Sequence, residues 1–525
     1  MHYADKKAHV LVVTGGATTN TLDIEHQEVH DDPRKWSPLR KSIILFIIAC
    51  AALIAGFSGD IYNPGISDIE RDLHATSSQI SLSLAIFTLV QGSVPLFWAS
   101  ISEIKGRKLV YILSVVFALV GSILAAVSHS ISELIGTRVL QGVGGAAVTS
   151  IGAATLADLY DSHERGTRMG IYYATQLLGP SLGPLIGGIL TQTSSWRATF
   201  WFLVAWQGMC LFAFVFIFRD TFRRERSLAY QGALRRRRRE HCQKTAKWPA
   251  FGQRGTSTAT TFDAIANIEA EPAIAGMNSK HTAEDIKLSF ADINPLPPLW
   301  QVLRRPNNFT MLFSNGLSFG FNFCITYTCT RTLEGRYGYD ALKTGLVLLA
   351  FGMGNCVGGV LGGRWSDYTL RKLKEKSGGK ATPEARRGMR LESTKHVLFL
   401  FPIPVIAYGW LAERQAPIAA VCIALFFSGF FAIWIYSSTI AYIVDANSGR
   451  SSSAVATNSF FRGVSSFAFG ELAVPLQVGL GDGGMYTLWA GLLIICEILI
   501  LLVFYHGGKW RESAEEKERK ASLEN

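Results

Sequence analysis

Two ionisable residues stand inside long apolar stretches of this sequence, where an uncompensated charge is costly. Asp60 lies in the run Ser-Gly-Asp-Ile-Tyr-Asn-Pro near the end of the first stretch, and Arg138 lies near the start of the fourth. A carboxyl group can bind and release a proton, whereas an arginine keeps its charge. Because ionisable groups at membrane depth mark ion or substrate paths, Asp60 is a candidate proton carrier. The alternative is a solvated carboxylate at the outer mouth of its helix.

A short signature that combines a small residue, a carboxylate and an arginine occurs twice, each time at the end of an apolar stretch. The first copy comprises Ala99, Glu103, Gly106, Arg107 and Lys108, and the second comprises Gly363, Asp367 and Arg371. A small residue lets two helices approach closely, and the carboxylate can accept hydrogen bonds from a helix N-terminus or pair with arginine. We interpret both copies as a gate latch that forms when the inner side closes. The alternative is a simple topology signal.

The fifth apolar stretch contains far more glycine and proline than a helix needs. Besides Pro180, the pattern comprises Gly170, Gly179, Gly183, Pro184, Gly187 and Gly188. Small residues permit tight helix crossing, and prolines remove backbone hydrogen bonds and bend a helix. We predict that this helix forms a hinge and seal between two halves of the protein. Tight packing alone is the alternative.

The candidate residues lie in or beside long apolar stretches, which are expected to form membrane-spanning helices. Of the residues, 49% are hydrophobic and only 17% are charged, where a soluble protein has about a quarter charged. Twelve stretches are long enough to span a bilayer, at roughly 43–65, 78–100, 108–128, 133–157, 167–190, 198–218, 309–331, 343–366, 395–412, 416–440, 454–478 and 484–505. The sequence predicts an all-α membrane protein with 12 transmembrane helices in two six-helix bundles. Its parts are a cytoplasmic tail (1–41), the first bundle (42–218), a largely disordered cytoplasmic loop (219–308), the second bundle (309–505) and a solvated cytoplasmic tail (506–525).

The distribution of basic residues predicts the orientation. If the N-terminus is cytoplasmic, the inner segments carry 42 lysines and arginines and the outer loops carry 6. Cytoplasmic loops of membrane proteins retain such an excess, so both termini are expected in the cytosol. The net charge of +11 is therefore explained by topology and does not indicate nucleic-acid binding.

Three motifs together resemble the major facilitator superfamily, in particular its twelve-span drug:proton antiporter family and the fungal quinidine-resistance and dityrosine exporters. They are Ala99–Lys108, Arg138–Gly145 and Gly170–Gly188, with further similarity at 154–168 and 444–453. The resemblance covers about 36–510 and departs from the family at Ala99 and Leu370, where the family has glycine. It implies that spans one and four line a cavity, and that Arg138 takes part in proton coupling. Asp60 and Arg138 lie at similar depth in these spans, so we expect that the two can pair across the cavity.

A pocket for varied organic molecules needs aromatic and apolar surface with a few polar groups. By segment and depth, the candidates are Tyr62, Gln141, Gln176, Asn322, Tyr327, Trp434, Tyr436, Asn458 and Arg462. Glu471 follows Arg462 by nine residues, about 13.5 Å along a helix, too far for direct pairing. Glu497, among isoleucines and leucines, is interpreted as a structural group.

The sequence thus predicts a proton-driven exporter of small amphipathic organic compounds, such as drugs, toxins or secondary metabolites, in the plasma membrane. No phosphate-binding glycine loop and no cluster of metal ligands occurs, so no enzyme activity, cofactor or metal is expected. The expected partners are the substrate, protons and the bilayer, with the protein a monomer. The alternatives are an importer or facilitator of the same fold, and a membrane sensor that does not transport.

Overall fold

The computed structural model describes residues 31–160, 162–223, 296–376, 391–447 and 451–524. Within these ranges the chain is helical almost throughout, and they contain no β-strand. Most of the predicted central loop, from 224 to 295, lies outside the described residues, as do the side chains of Asp367 and Arg371.

The first half forms helices joined by short turns. They are a 3-10 helix at Pro33–Lys35, α1 (Pro38–Asp60), a 3-10 helix at Asn63–Gly65, α2 (Ile66–Asp72), α3 (Ser77–Ser93), α4 (Pro95–Lys105), α5 (Arg107–Ala126), α6 (Ile131–Leu159), α7 (Ser162–Thr193) and α8 (Trp196–Phe212), followed by a π-helical turn at Ala213–Ile217. Local sequence explains several boundaries. Thr76 and Gln79 form a reciprocal capping box at the start of α3. The first predicted span reached residue 65, but α1 ends at Asp60, before the 3-10 helix that contains Pro64.

The second half repeats this organisation. Its helices are α9 (Leu296–Leu303), α10 (Pro306–Gly335), α11 (Ala341–Lys376), α12 (Lys395–Leu398), α13 (Pro402–Glu413), α14 (Ile418–Ala446) and α15 (Ser451–Glu524). α15 is two helices joined at Gly481, whose φ of 71° lies in the left-handed region that glycine adopts readily.

Nine helical stretches of the described residues are long and apolar enough to cross a membrane. One of them, Ser453–Glu518, contains the predicted spans eleven and twelve on either side of the kink at Gly481. α7 and α10, which hold predicted spans five and seven, are 32 and 30 residues long but are not among the nine. The structure therefore confirms a multi-pass helical membrane protein, and the number of twelve spans stays a prediction.

Each half packs its own helices, and two helix pairs form the most extensive contacts between the halves. α1 packs on α7 in the first half, as α10 packs on α15 in the second. Between the halves, α7 packs on α11 and α3 packs on the first part of α15. We call the end of the helices where the chain enters α1 the terminal end, and the opposite end the far end.

The end of the chain, predicted as a solvated tail, is helical. α15 continues as a helix to Glu524 and docks on the start of the second half. Arg305 donates from Nε to Oε1 of Glu518 at 3.0 Å and from Nη2 to Oε2 at 2.9 Å. Among the alternating charges of this segment, Nζ of Lys520 lies 2.8 Å from Oε1 of Glu516, one turn earlier. Ion pairs at this spacing stabilise a helix.

Candidate functional site

Arg138 of α6 is fully buried and binds the last turn of α1. Its Nη1 donates to the backbone carbonyl of Ser58 and to Oε1 of Gln141, both at 2.6 Å. The last carbonyls of a helix lack partners within it, so the guanidinium caps α1. Gln141 in turn donates to the hydroxyl of Ser122 in α5 at 2.9 Å. Arg138 therefore connects α1, α5 and α6 through one hydrogen-bond chain.

Aromatic rings enclose the same guanidinium. Its carbon lies 4.3 Å from the ring centre of Phe87 and 4.7 Å from that of Tyr62, distances at which cation–π attraction is strong. The hydroxyl of Tyr62 is 2.8 Å from that of Ser83. Tyr62 and Gln141, predicted as liners of the substrate cavity, are both fully buried and form the enclosure of Arg138. The sequence did not predict these neighbours, because they come from other helices.

Asp60 stands at the end of α1 without an ion pair. Its Oδ1 accepts a hydrogen bond from Nδ2 of Asn63 at 3.3 Å, and no ion pair within 4 Å joins it to Arg138 among the described contacts. The two charges still interact through space. The expected pairing is thus replaced, in this conformation, by the bond from Arg138 to the Ser58 carbonyl two residues earlier.

Glycines of α7 bring that helix into contact with α1. A Cβ on Gly187 would overlap the carbonyl oxygen of Ile61, and one on Gly179 would lie 2.9 Å from the Cα of Gly56. Between them, a Cβ on Gly183 would lie 3.5 Å from the Cβ of Asp60. Three glycines four residues apart therefore form the surface on which the Asp60 end of α1 rests.

The other face of α7 meets the second half of the protein. A Cβ on Gly188 would lie 2.5 Å from the carbonyl oxygen of Ala341, and Ser181 donates to the carbonyl of Gly352 at 2.9 Å. Between these contacts, the Pro184 carbonyl lies against Gly345 of α11. The predicted hinge helix thus touches α1 with one face and α11 with another.

The halves are joined at the far end. There, Ser67 hydrogen-bonds to Glu334, and Tyr327 donates to the carbonyl of Ser77 at 2.8 Å. Toward the terminal end, Cβ atoms built on Gly170 of α7 and Gly363 of α11 would meet no described atom within 4 Å, so these two glycines do not join the helices.

The first copy of the repeated signature forms an ionic cluster inside the first half. Arg107 is buried and lies 3.0 Å from Glu103 and 3.2 Å from Asp158 of α6. Its backbone N–H donates to Oδ1 of Asp220 at 3.1 Å, although 113 residues separate them. Asp158 lies in the range 154–168 that carries part of the family resemblance. Nothing in the sequence pointed to Asp220.

Close packing explains the glycine of this signature. Gly106 has a φ of 90°, and a Cβ on it would overlap the Asp220 carboxylate.

The other members of the signature lie as follows. Lys108 donates to the carbonyl of Val215 at 2.9 Å, while Ala99 lies in α4. In the second copy, Gly363 lies in α11 and the acidic and basic side chains are not described.

A polar network connects three helices of the second half. Nη1 of Arg462 and Nδ2 of Asn458 donate to the hydroxyl of Tyr436 at 3.1 and 3.2 Å. Asn315 donates to Asn458 at 3.1 Å and accepts from Thr439 at 2.7 Å. Three of these residues were predicted; Asn315 and Thr439 were not, because their spacing carries no signal for a partner on another helix.

Arg462 itself lies against an aromatic ring. Its guanidinium carbon is 3.8 Å from the ring centre of Phe319 and 5.3 Å from that of Tyr436. Its Nε has no hydrogen-bond partner, and no described carboxylate forms an ion pair with it within 4 Å. The side chain is partly exposed.

The remaining candidates have separate environments. Tyr327 is buried at the far-end contact, Asn322 donates to the Ser318 carbonyl of its own helix at 2.9 Å, and Gln176 is partly buried. Trp434 packs against α11 and helps line a cavity of about 350 Å³ that also includes Arg364. No group of three metal-binding side chains occurs among the described residues.

Comparison with known proteins identifies a family for this architecture. Residues 48–469 match the model of the Major Facilitator Superfamily. An MFS antiporter QDR3 of Candida albicans is 25% identical over 95% of this chain and 82% of its own length. Citrate exporter 1 of Aspergillus niger is 28% identical over 91% of this chain and 88% of its own length. The fold also resembles the crystal structure of a bacterial homologue of the human lysosomal transporter Spinster. The TM-score is 0.57 at 12% identity, and the match covers 92% of this chain and 99% of that one.

Proposed function

The chain belongs to the Major Facilitator Superfamily of transporters, and on that basis we propose that it exports small organic compounds in exchange for protons. The observation that carries the proposal is the shape of the seam between the halves. Contacts such as Ser67–Glu334 and Tyr327–Ser77 close it at the far end. With the terminal end in the cytosol, as the excess of basic residues predicts, this conformation is closed to the outside.

Alternating access requires two bundles that rock against each other about a central site. α7 is suited to this motion because Gly179 and Gly187 hold it against α1 while Gly188 holds it against α11. Movement at the end of α1 is therefore passed to the second half. No cofactor is needed for such a cycle; the proton gradient supplies the free energy.

Asp60 is proposed to carry the proton. A charged Asp60 favours a nearby cation, whereas a neutral Asp60 does not, so proton binding changes how strongly Arg138 is drawn toward it. Arg138 binds Ser58 in the same turn, and a shift of the guanidinium alters the end of α1 directly. Because this end rests on Gly183 and Gly187, protonation is coupled to the α1–α7 contact.

The ionic cluster around Arg107 is proposed to hold the terminal end of the first half rigid during the cycle. Arg107 binds Glu103 and Asp158, which belong to the same half. When the terminal end closes, the loop between α4 and α5 approaches the second half. The latch then gains contacts there, as the repeated signature in α11 suggests.

Two relatives guide the choice of substrates. One is named an MFS antiporter and the other a citrate exporter, so organic acids are candidates beside the amphipathic compounds that the sequence predicts. The proposed location is the plasma membrane, with both termini in the cytosol, and the proposed state is a monomer.

The test measures accumulation of a rhodamine-type cationic dye and a fluorescein-type anionic dye in cells that express the chain. Lower accumulation of either dye, abolished by a protonophore, supports proton-driven export. Cells carrying an empty vector control for endogenous pumps, and surface labelling verifies that the protein reaches the membrane. Higher accumulation of a dye would favour the importer. Unchanged accumulation of both dyes with the protein at the surface would contradict broad export and favour a narrow transporter or a sensor.

A further inference from the structure

We propose that Arg462 binds the carboxylate of an organic anion, and that the polar network around it is the anion-binding part of the substrate site. The inference deepens the proposed function by naming the substrate class, and it depends on the chain being a transporter. Its basis is the environment of this one guanidinium, which differs from the environments of Arg138, Arg107 and Arg305.

The charge of Arg462 has no acidic partner in the described structure. Its bound acceptor is the neutral hydroxyl of Tyr436, and its Nε is unpartnered. Glu471 is nine residues further along the same helix, about 13.5 Å away. A charge removed from bulk water is stable only when it is paired or hydrogen-bonded. A ligand that brings a carboxylate would complete this site.

The two halves differ in this respect. In the first half, Arg138 lies close enough to Asp60 for the two groups to interact electrostatically. Arg107 has the carboxylates of Glu103 and Asp158 within 4 Å. In the second half, Arg305 is paired with Glu518. Arg462 alone in this group is left with a hydroxyl and aromatic faces. This contrast assigns proton chemistry to the first half and anion binding to the second.

The position of Arg462 is fixed and reachable. The adjacent Gly463 packs against α3, where a Cβ would lie 2.9 Å from the carbonyl oxygen of Thr88, so the register of α15 is set there. Asn458, one turn earlier, is buried and holds Tyr436 in place. Arg462 is partly exposed, and its planar guanidinium can hold a carboxylate through two parallel hydrogen bonds.

The neighbouring rings indicate what the rest of the anion resembles. Phe319 lies against the guanidinium at 3.8 Å and Tyr436 at 5.3 Å. A flat aromatic body attached to the carboxylate would stack on these rings while its charge meets Arg462. The site therefore fits an aromatic or otherwise planar carboxylate better than a cation of the same size, which the guanidinium repels.

The experiment compares 2-naphthoate with 2-naphthamide, which share a ring system and differ in charge. Equilibrium dialysis against the purified full-length protein in detergent measures both affinities. The wild type is expected to bind the naphthoate at least about tenfold more tightly, as one charge-assisted contact allows. Arg462→Gln should remove this preference and leave amide binding unchanged, whereas Arg462→Lys should keep part of it.

Arg414→Gln is the matched control, since this exposed arginine also lies over an aromatic ring, that of Trp410 at 5.9 Å. It should bind both compounds as the wild type does. Equal affinities in the wild type, no naphthoate binding, or an equal loss of both affinities in Arg462→Gln would overturn the proposal. Because binding needs no gradient, a failure of export in cells would contradict the proposed function without affecting this result. Export of the cationic dye without naphthoate binding would contradict the carboxylate site alone.

Discussion

Arg138 donates a 2.6 Å hydrogen bond to the backbone carbonyl of Ser58, and not to the carboxylate of Asp60 two residues later. α1 ends at Asp60, so the Ser58 carbonyl lies in its last turn, where backbone acceptors lack helical partners. The guanidinium is thus bound to the helix that carries the candidate proton carrier. Any change in the charge of Asp60 acts on a cation that already holds the end of the same helix.

Replacing Asp60 by asparagine should remove proton coupling. The amide is similar in size and can keep the contact with Asn63, but it cannot carry a proton. We expect proton-driven dye export to fall at least about tenfold, the loss typical of a group required for proton transfer. Energised membrane vesicles measure this directly. Asp68→Asn, which changes a partly exposed carboxylate of α2 that pairs with Arg71, is the control and should transport normally. Full proton-driven export by the Asp60 variant would remove Asp60 as the carrier.

Replacing Arg138 by lysine should impair both stability and transport. A lysine has one charged nitrogen and lacks the flat guanidinium that binds Ser58 and Gln141 between two aromatic rings. Loss of one buried hydrogen bond to a charged group should cost about 1.5–3 kcal/mol of folding free energy. Thermal unfolding in detergent and transport in vesicles measure the two effects. The exposed Arg414→Lys should leave both unchanged, and a fully active Arg138→Lys would show that charge alone suffices.

Two glycines of α7 should respond differently to alanine. Gly187→Ala places a methyl group on the carbonyl oxygen of Ile61, so α1 and α7 must separate. We expect transport to fall at least about tenfold and folding free energy to drop by about 1–3 kcal/mol, the range for overpacking. Gly170→Ala meets open space and should keep transport near that of the wild type. Equal activity of the two variants would contradict the role of this contact as a hinge.

Asp220 should stabilise the loop between α4 and α5. Its carboxylate accepts hydrogen bonds from the backbone N–H groups of Arg107 at 3.1 Å and Phe222 at 3.0 Å. Asp220→Ala leaves the first N–H of α5 without this partner, at a cost of about 1 kcal/mol, as for other helix caps. Asp220→Asn retains the acceptor oxygen and should lose less. Thermal midpoints of the three proteins, measured under one set of conditions, test this order; an alanine variant as stable as the wild type would contradict it.

Local sequence correctly predicted a helical membrane protein. Long apolar stretches, the glycines of α7 and the signature before α5 appear where expected, because hydrophobicity and turn residues act over a few neighbouring positions. The same information predicted Asp60, Arg138, Tyr436, Asn458 and Arg462 as polar groups at membrane depth. It could not predict the helical end of α15, since the partner of Glu518 is Arg305, more than 200 residues earlier.

Which residues meet across helices was decided only by the tertiary structure. Sequence depth suggested that Arg138 faces Asp60, but helix rotation and the end of α1 bring the Ser58 carbonyl to it instead. Asn315 joins Asn458 across 143 residues, and Arg107 meets Asp220 across 113. A local pattern specifies the depth and approximate face of a side chain, whereas its partner depends on how two distant helices are rotated and spaced. The sequence by itself therefore determined a multi-pass helical membrane protein and the positions of its charged residues along the chain, and the packing determined which of those charges are paired.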